Sequence, residues 1–277
     1  ERPASVLKEL LENSIDAGAT FVDVEVTAGG KRLVSVRDDG VGMSRDGALL
    51  GIERHATSKI RDVGDIENIE TLGFRGEALA AIAAVSRFRL VTRRQEDLEG
   101  CEIEVHGGTI QQVREAGSPP GTAVSVRNLF YNVPARRKFL RADQTETAHV
   151  REMFLVHALA HPGIAMHLVV DDRPLYQLSG DSTVGDRIRE LFSASLFDGL
   201  HPVEYRDADV AVTGFIGSPQ LHRADRSEQY VFVNGRPASA AIVVGALREA
   251  YQSTLPKGRF PVLFLFLEVD AAQIDVN

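Results

Sequence analysis

A single cysteine, Cys101, is all the thiol this chain has. It cannot close an internal disulfide and has no partner for a metal site of the usual Cys/His spacing, so nothing points to an oxidising compartment. Long apolar runs are missing too. The longest, VLFLFLEV from Val262, falls far short of the roughly 18–20 residues that a membrane helix needs, and no basic-then-apolar leader opens the sequence. The expectation is a soluble protein, cytoplasmic by default, with no membrane partner. Nor is there an excess of basic residues. A formal net charge of −8 argues against a protein that coats nucleic acid uniformly, because nonspecific affinity comes from neutralising phosphates with Lys and Arg. A local basic groove stays compatible with that charge. Internal repeats and low-complexity tracts are absent.

What is present is enough apolar residue, 44% of 277, to bury one large core or two moderate ones, and a prior of roughly 100–200 residues per domain favours two. The small, polar stretch from Gly180 to Val184 is the best linker, placing the domains at 1–182 and 183–277. Because the chain opens on Glu1, a few residues before a strong helix, it reads as part of something longer. Leu7, Leu10, Leu11, Ser14 and Ile15 recur at helical spacing up to a stop at Gly18. FVDVEV from Phe21 and KRLVSVRD from Lys31 alternate around Ala28-Gly29-Gly30 and predict a β-hairpin. An alanine-rich helix is expected over 77 to about 85, and strands over 87–93, 102–107 and 122–130. A helix then starts near Pro134, followed by the helix TAHVREMFLVHALAH and the strand MHLVVD. Past the linker come a helix (184–192), the strands ADVAVTGFIG and EQYVFVNGR, a helix (241–253) and the strand VLFLFLEVD, a smaller α/β unit.

Several residues carry possible chemistry. Glu9, Asn13 and Asp16 are spaced i, i+4, i+7 on a face opposing the leucine stripe. On spacing alone the plainer reading is a solvated helix face. The sharper one has Asn13 offering a neutral oxygen to Mg²⁺ while Glu9 orients and deprotonates an attacking water. In RDDGVGM, Gly40 and Gly42 would let a flat ring approach the backbone, with Asp38 as acceptor for an exocyclic amine; an ordinary Asp-Gly turn is the alternative. Gly73 and Gly76 in TLGFRGEALAAIAAVS bracket a loop feeding a helix whose free amides suit phosphates, or simply precede a buried helix. HATSK, with Thr57, Ser58 and Lys59, and Thr122 in PPGTAV either touch a nucleotide or cap local structure. Arg136, Arg137, Lys138 and Arg141 form a basic cluster, a phosphate patch or a solvated helix side.

Taken in order, ERPASVLKELLENSIDAGA, RDDGVGM, HATSK, GFRGEALAAIAAVS, GTAVSVRNLFYNVPARRKFL and QIDVN resemble the MutL family of DNA mismatch-repair proteins over nearly the whole chain. GFRGEAL and FYNVPARRKFL are specific to that family within the GHKL superfamily, which also holds topoisomerase ATPase subunits, heat-shock chaperones and sensor kinases. The resemblance implies an α/β (α+β) fold: a two-layer ATPase sandwich of a mixed β-sheet and helices, then a smaller, ribosomal-protein-like α/β domain with a left-handed βαβ crossover, an unusual hand.

It further implies an Mg²⁺-dependent ATPase with Glu9 as general base and Asn13 as metal ligand. Asp38 would bind adenine, Gly40 and Gly42 would shape its pocket, and Thr122 would lie near the base. His55 through Lys59, with Thr57, Ser58 and Lys59 among them, would belong to the lid, and Gly73, Phe74, Arg75, Gly76 and Glu77 would wrap the phosphates. ATP binding would drive homodimerisation in the full-length protein, with DNA, a mismatch-recognition protein and a downstream nuclease or helicase as partners, in association with the bacterial nucleoid. Arg136, Arg137 and Arg236 are the candidate DNA contacts. Family members carry a segment ahead of ERPAS and, past DVN, a lysine that reaches the γ-phosphate. Without them turnover should suffer more than binding, since such a cation acts on transition-state charge. Asp39 stands where many relatives have asparagine, with no effect evident from sequence.

Overall fold

A computed structural model describes residues 2–52, 76–207 and 209–270. They group into two compact units, residues 1–154 with 164–180 and residues 155–163 with 181–277. The first unit opens with α1 (Pro3–Asp16), started by a proline in its first turn and buried along Leu7, Leu10, Leu11 and Ser14. Strands β1 (Phe21–Thr27) and β2 (Leu33–Asp38) pair antiparallel across a 3₁₀ turn at Ala28–Gly30, where all three residues take positive φ. Helices α2 (Arg45–Ile52) and α3 (Gly76–Ala83) follow, then β3 (Arg87–Arg93), β4 (Gly100–His106), β5 (Thr109–Ala116) and β6 (Gly121–Arg127). After α4 (Pro134–Lys138) and α5 (Asp143–Ala160), the unit closes with β7 (Ala165–Val170) and β8 (Arg173–Leu178). The last residues of α5 group with the second unit.

The eight strands form one sheet in the order β5-β4-β3-β6-β2-β1-β7-β8, antiparallel throughout except for the parallel pair β1 and β7. Alternation along β1 buries Val22, Val24 and Val26 completely, and Val34, Val36, Leu90 and Val126 continue that buried layer on the neighbouring strands. This mixed sheet with its helices matches the expected sandwich. The pairing also fixes the site's position, because Asp38 at the end of β2 stands opposite Thr122, and Thr122 opposite Thr92 on β3.

In the second unit α6 (Val184–Leu191) starts on a capping box between Thr183 and Asp186, and α7 (Ala194–Asp198) follows. Strands β9 (Leu200–Arg206), β10 (Val210–Gly217), β11 (His222–Arg223), β12 (Gln229–Val233) and β13 (Arg236–Ala238) precede α8 (Val244–Tyr251), β14 (Phe260–Pro261) and β15 (Leu263–Val269). Their main sheet runs β13-β12-β15-β10-β9, with β12 and β15 parallel and joined through α8. The parallel pairing is what demands a helical crossover. Arg187 is wholly buried, and its guanidinium is satisfied by the carbonyls of Ala158 and Pro162 at 2.8 Å each and by Glu190 at 3.1 Å. No described helix is long and apolar enough to cross a membrane.

Candidate functional site

Asp38 is held from three sides. Its Oδ2 accepts from the Ser14 hydroxyl of α1 at 2.7 Å, while Oδ1 accepts from the Gly40 and Thr122 amides at 3.0 and 3.2 Å. Burial pushes the carboxyl above its ordinary range, opposed by the three hydrogen bonds. Next to it, the buried Thr92 hydroxyl accepts from the Met43 amide at 2.9 Å and donates to the Gly121 carbonyl at 3.1 Å. Either oxygen can donate in the 3.0 Å bond between the Thr92 and Thr122 hydroxyls; when the Thr92 proton goes to Gly121, Thr122 is the donor. Thr122 then keeps its lone pairs, and together with Asp38 it makes a wall rich in acceptors.

That wall borders a cavity of about 310 Å³. Asn13 and Asp16 line it from α1 and Leu79 from α3, while Val36, Leu90 and Val124 supply apolar sides. The polar face of α1 is thus not set wholly against the leucine stripe, as spacing alone predicts. Leu10, Asn13 and Ser14 lie one turn apart at i, i+3 and i+4, and all three border the same cavity. Gly42 closes another edge at φ +68°, and a Cβ there would lie 2.1 Å from the Arg93 carbonyl, so only glycine lets the loop come this close. Gly40 packs against Ala17.

Asp39 does not turn to the cavity's chemistry. Its Oδ1 accepts from the Thr20 and Phe21 amides at 2.8 Å each and its Oδ2 from the Thr20 hydroxyl at 2.6 Å, so it ties the start of β1 to the end of β2. Partial burial works against the charge, but these hydrogen bonds outweigh it and hold the carboxyl below its usual range. An asparagine here would keep the two amide bonds and let Thr20 act as acceptor. Replacing Asp39 by alanine is expected to lower stability by about 1–2 kcal/mol at neutral pH, discounted for the exposure of the site. Because a depressed carboxylate stabilises only above its unfolded pKa of about 4, the difference should vanish as pH falls through the lower folded value. Urea unfolding of wild type and Asp39→Ala at neutral and acid pH checks this.

Of the other predicted residues, Glu9 lies one turn before Asn13 on α1 with its side chain 36% exposed and Lys8 Nζ 3.9 Å away; it does not itself border the cavity. Gly76 and Glu77 begin α3. His55, Thr57, Ser58, Lys59, Gly73, Phe74 and Arg75 lie outside the described residues. Arg136 and Arg137 are exposed on α4, and Arg236 is exposed just past the Asn234-Gly235 turn of the β12–β13 hairpin. Sequence reasoning missed Ser14 and Thr92 as site residues. Ser14 carried a usable signal: a hydroxyl inside an apolar stripe is buried, and a buried polar group needs a partner.

Residues 1–127 match the profile of the histidine kinase-, DNA gyrase B-, and HSP90-like ATPase family, and residues 188–277 that of the DNA mismatch repair protein, C-terminal domain. The solved structure of the Aquifex aeolicus MutL ATPase domain complexed with ADP is 32% identical, with a TM-score of 0.72 over 97% of this chain and 92% of that one. The chain belongs to the MutL family of DNA mismatch repair proteins. MutL of Syntrophobacter fumaroxidans is 48% identical over the whole of this chain, and MutL of Opitutus terrae 47%. The chain spans 41% and 44% of the length of those two MutL proteins.

Proposed function

We propose that the first unit, with its boundary near residue 182, binds ATP and hydrolyses it to ADP and phosphate as part of DNA mismatch repair. The observation that carries this reading is the acceptor wall of Asp38 and Thr122 at the edge of an apolar cavity. Such a wall suits the 6-amino group of adenine, and the Aquifex relative was solved with ADP. Ser14 sits at the Asp38 end of α1, Asn13 beside it and Glu9 one turn further back, about 6 Å along the axis. A nucleotide laid along that helix would start with its base at Asp38 and carry its phosphates past Asn13 toward Glu9.

In this reading Glu9 accepts a proton from the water that attacks the γ-phosphate. Asn13 offers a neutral oxygen to Mg²⁺, which when bound supplies positive charge against the phosphates. Among the described residues no group of three or more His, Cys, Asp or Glu side chains could hold a metal. That fits an ion taking most of its shell from phosphate and water. The start of α3 and the residues before it receive the phosphates, Gly73 to Glu77 among them. Thr57, Ser58 and Lys59 close over them.

In the intact protein, ATP binding would bring two N-terminal halves together and couple them to DNA and to other repair proteins. Lid ordering would make the ATP and ADP states differ. The exposed Arg136, Arg137 and Arg236 serve as electrostatic DNA contacts, and any such affinity must fall with added salt. Equilibrium titration with ATP, with and without Mg²⁺, tests the metal assignment. Asn13→Ala is expected to erase the Mg²⁺-dependent part of the affinity and leave the metal-free part unchanged. An undiminished Mg²⁺ effect would remove Asn13 from the metal shell.

A further inference from the structure

The second unit contains a groove of about 440 Å³ along α8, the turn after it and β14, far in sequence from the Asp38 cavity. Arg226, Arg248, Lys257 and Arg259 border it, and among the described residues no Asp or Glu does. In a chain of net charge −8 that is a local accumulation of the minority sign. All four are exposed. The floor is apolar. Val244, Leu247 and Leu255 are half-buried there, and Leu247 packs on the core of Val231, Leu263 and Leu265, which anchors it. The end of α8 is pinned by the Tyr251 hydroxyl, which donates to the Gly217 carbonyl at 2.6 Å.

We propose that this groove binds an acidic, amphipathic peptide segment of a partner protein, one in which apolar side chains alternate with carboxylates. A concavity of this size admits two or three side chains, and its aliphatic floor rewards burying them. The cationic rim complements flanking Asp or Glu and speeds encounter. Nucleic acid fits less well. Bases need an open aromatic face, and the Phe260 ring is covered by the Arg226 guanidinium at 5.2 Å from its centroid. A sugar-phosphate chain could pair with the cationic rim but would leave the apolar floor unfilled. This site is independent of the nucleotide reading.

The test uses the chain itself, a phage-displayed library of random 12-residue peptides, and a fluorescein-labelled 12-nucleotide oligo-dT. Selection against the wild type is expected to converge on sequences that combine Asp or Glu with Leu or Phe. The synthetic peptide of the leading sequence should bind R248E/K257E at least tenfold more weakly, and should lose at least tenfold when its apolar residues become serine. Both substituted side chains are exposed, and R248Q/R259Q serves as a second variant if a melting curve shows the first to be misfolded. Failure to converge, a consensus without carboxylates, or an affinity indifferent to the charge changes would overturn the proposal. So would oligo-dT binding that R248E/K257E abolishes when no peptide has been selected, which would make the groove a nucleic-acid site.

Discussion

Replacing Asp38 by asparagine is expected to weaken ATP binding by at least about a hundredfold while making the nucleotide-free protein more stable at neutral pH. The two effects have one cause. Oδ1 of Asp38 accepts from two backbone amides, so in the amide side chain the oxygen must take that position and the NH₂ group must replace Oδ2. There Ser14 can turn its proton to the Leu10 carbonyl, 3.1 Å away, and accept from the new donor, so folding loses no hydrogen bond. The cavity, however, then meets the adenine amine with a donor where it had an acceptor. On the stability side, a carboxyl whose folded pKa is raised stabilises below its unfolded pKa, and that contribution is lost as pH rises through the folded value. Removing the charge should therefore raise the melting temperature at pH 7, with the gain closing toward pH 4. Calorimetric titration and melting curves on the same two proteins measure both signs. A variant that bound ATP normally would leave Asp38 without its assigned role.

Glu9→Ala in the intact protein is expected to cut ATP hydrolysis by about 10²–10⁴-fold with ATP affinity changed no more than about twofold. Glu9 stands one turn from Asn13 and outside the cavity border, so truncating it should not disturb the adenine pocket. Phosphate release under single-turnover conditions, alongside equilibrium binding, separates the two quantities. Loss of both together would mean that Glu9 shapes the site rather than activating water, and unchanged hydrolysis would end the assignment.

Much of the framework is visible in the sequence because local rules and tertiary packing agree. The strand over 87–93 is found where alternation places it, and the hairpin of β1 and β2 turns on its Ala-Gly-Gly segment. Both edge strands of the first sheet escaped, as did β9 at an edge of the second. β5 has no residue buried on either face, so TIQQVREA shows no alternation to read, although the Gly107-Gly108 pair before it, at φ +58° and +86°, has the chemistry of a tight hairpin turn. β8 pairs with β7 across Asp171-Asp172, both at positive φ, a turn that aspartate tolerates but does not announce. The helix beginning at Pro134 is only five residues long, since its polar, exposed sequence finds no core to extend against.

At the site, residue types that chemistry demands were legible and those that merely hold them were not. Asp38, Asn13 and Thr122 stand out by motif and meet at one cavity. Thr92 is unremarkable in RFRLVTR, and only strand register brings it to Thr122 and Met43. Asp39 shows no role from sequence, and only its hydrogen bonds reveal a clasp between β1 and β2.

Discrimination between ATP and inosine triphosphate probes the acceptor wall most directly, since inosine differs at the 6-position, carrying a carbonyl where adenine has an amine. Titrated into this chain under identical Mg²⁺, ATP should bind at least about tenfold more tightly than inosine triphosphate, and Asp38→Asn should remove that preference. Equal affinity of the wild type for both nucleotides would contradict an adenine pocket built on Asp38 and Thr122.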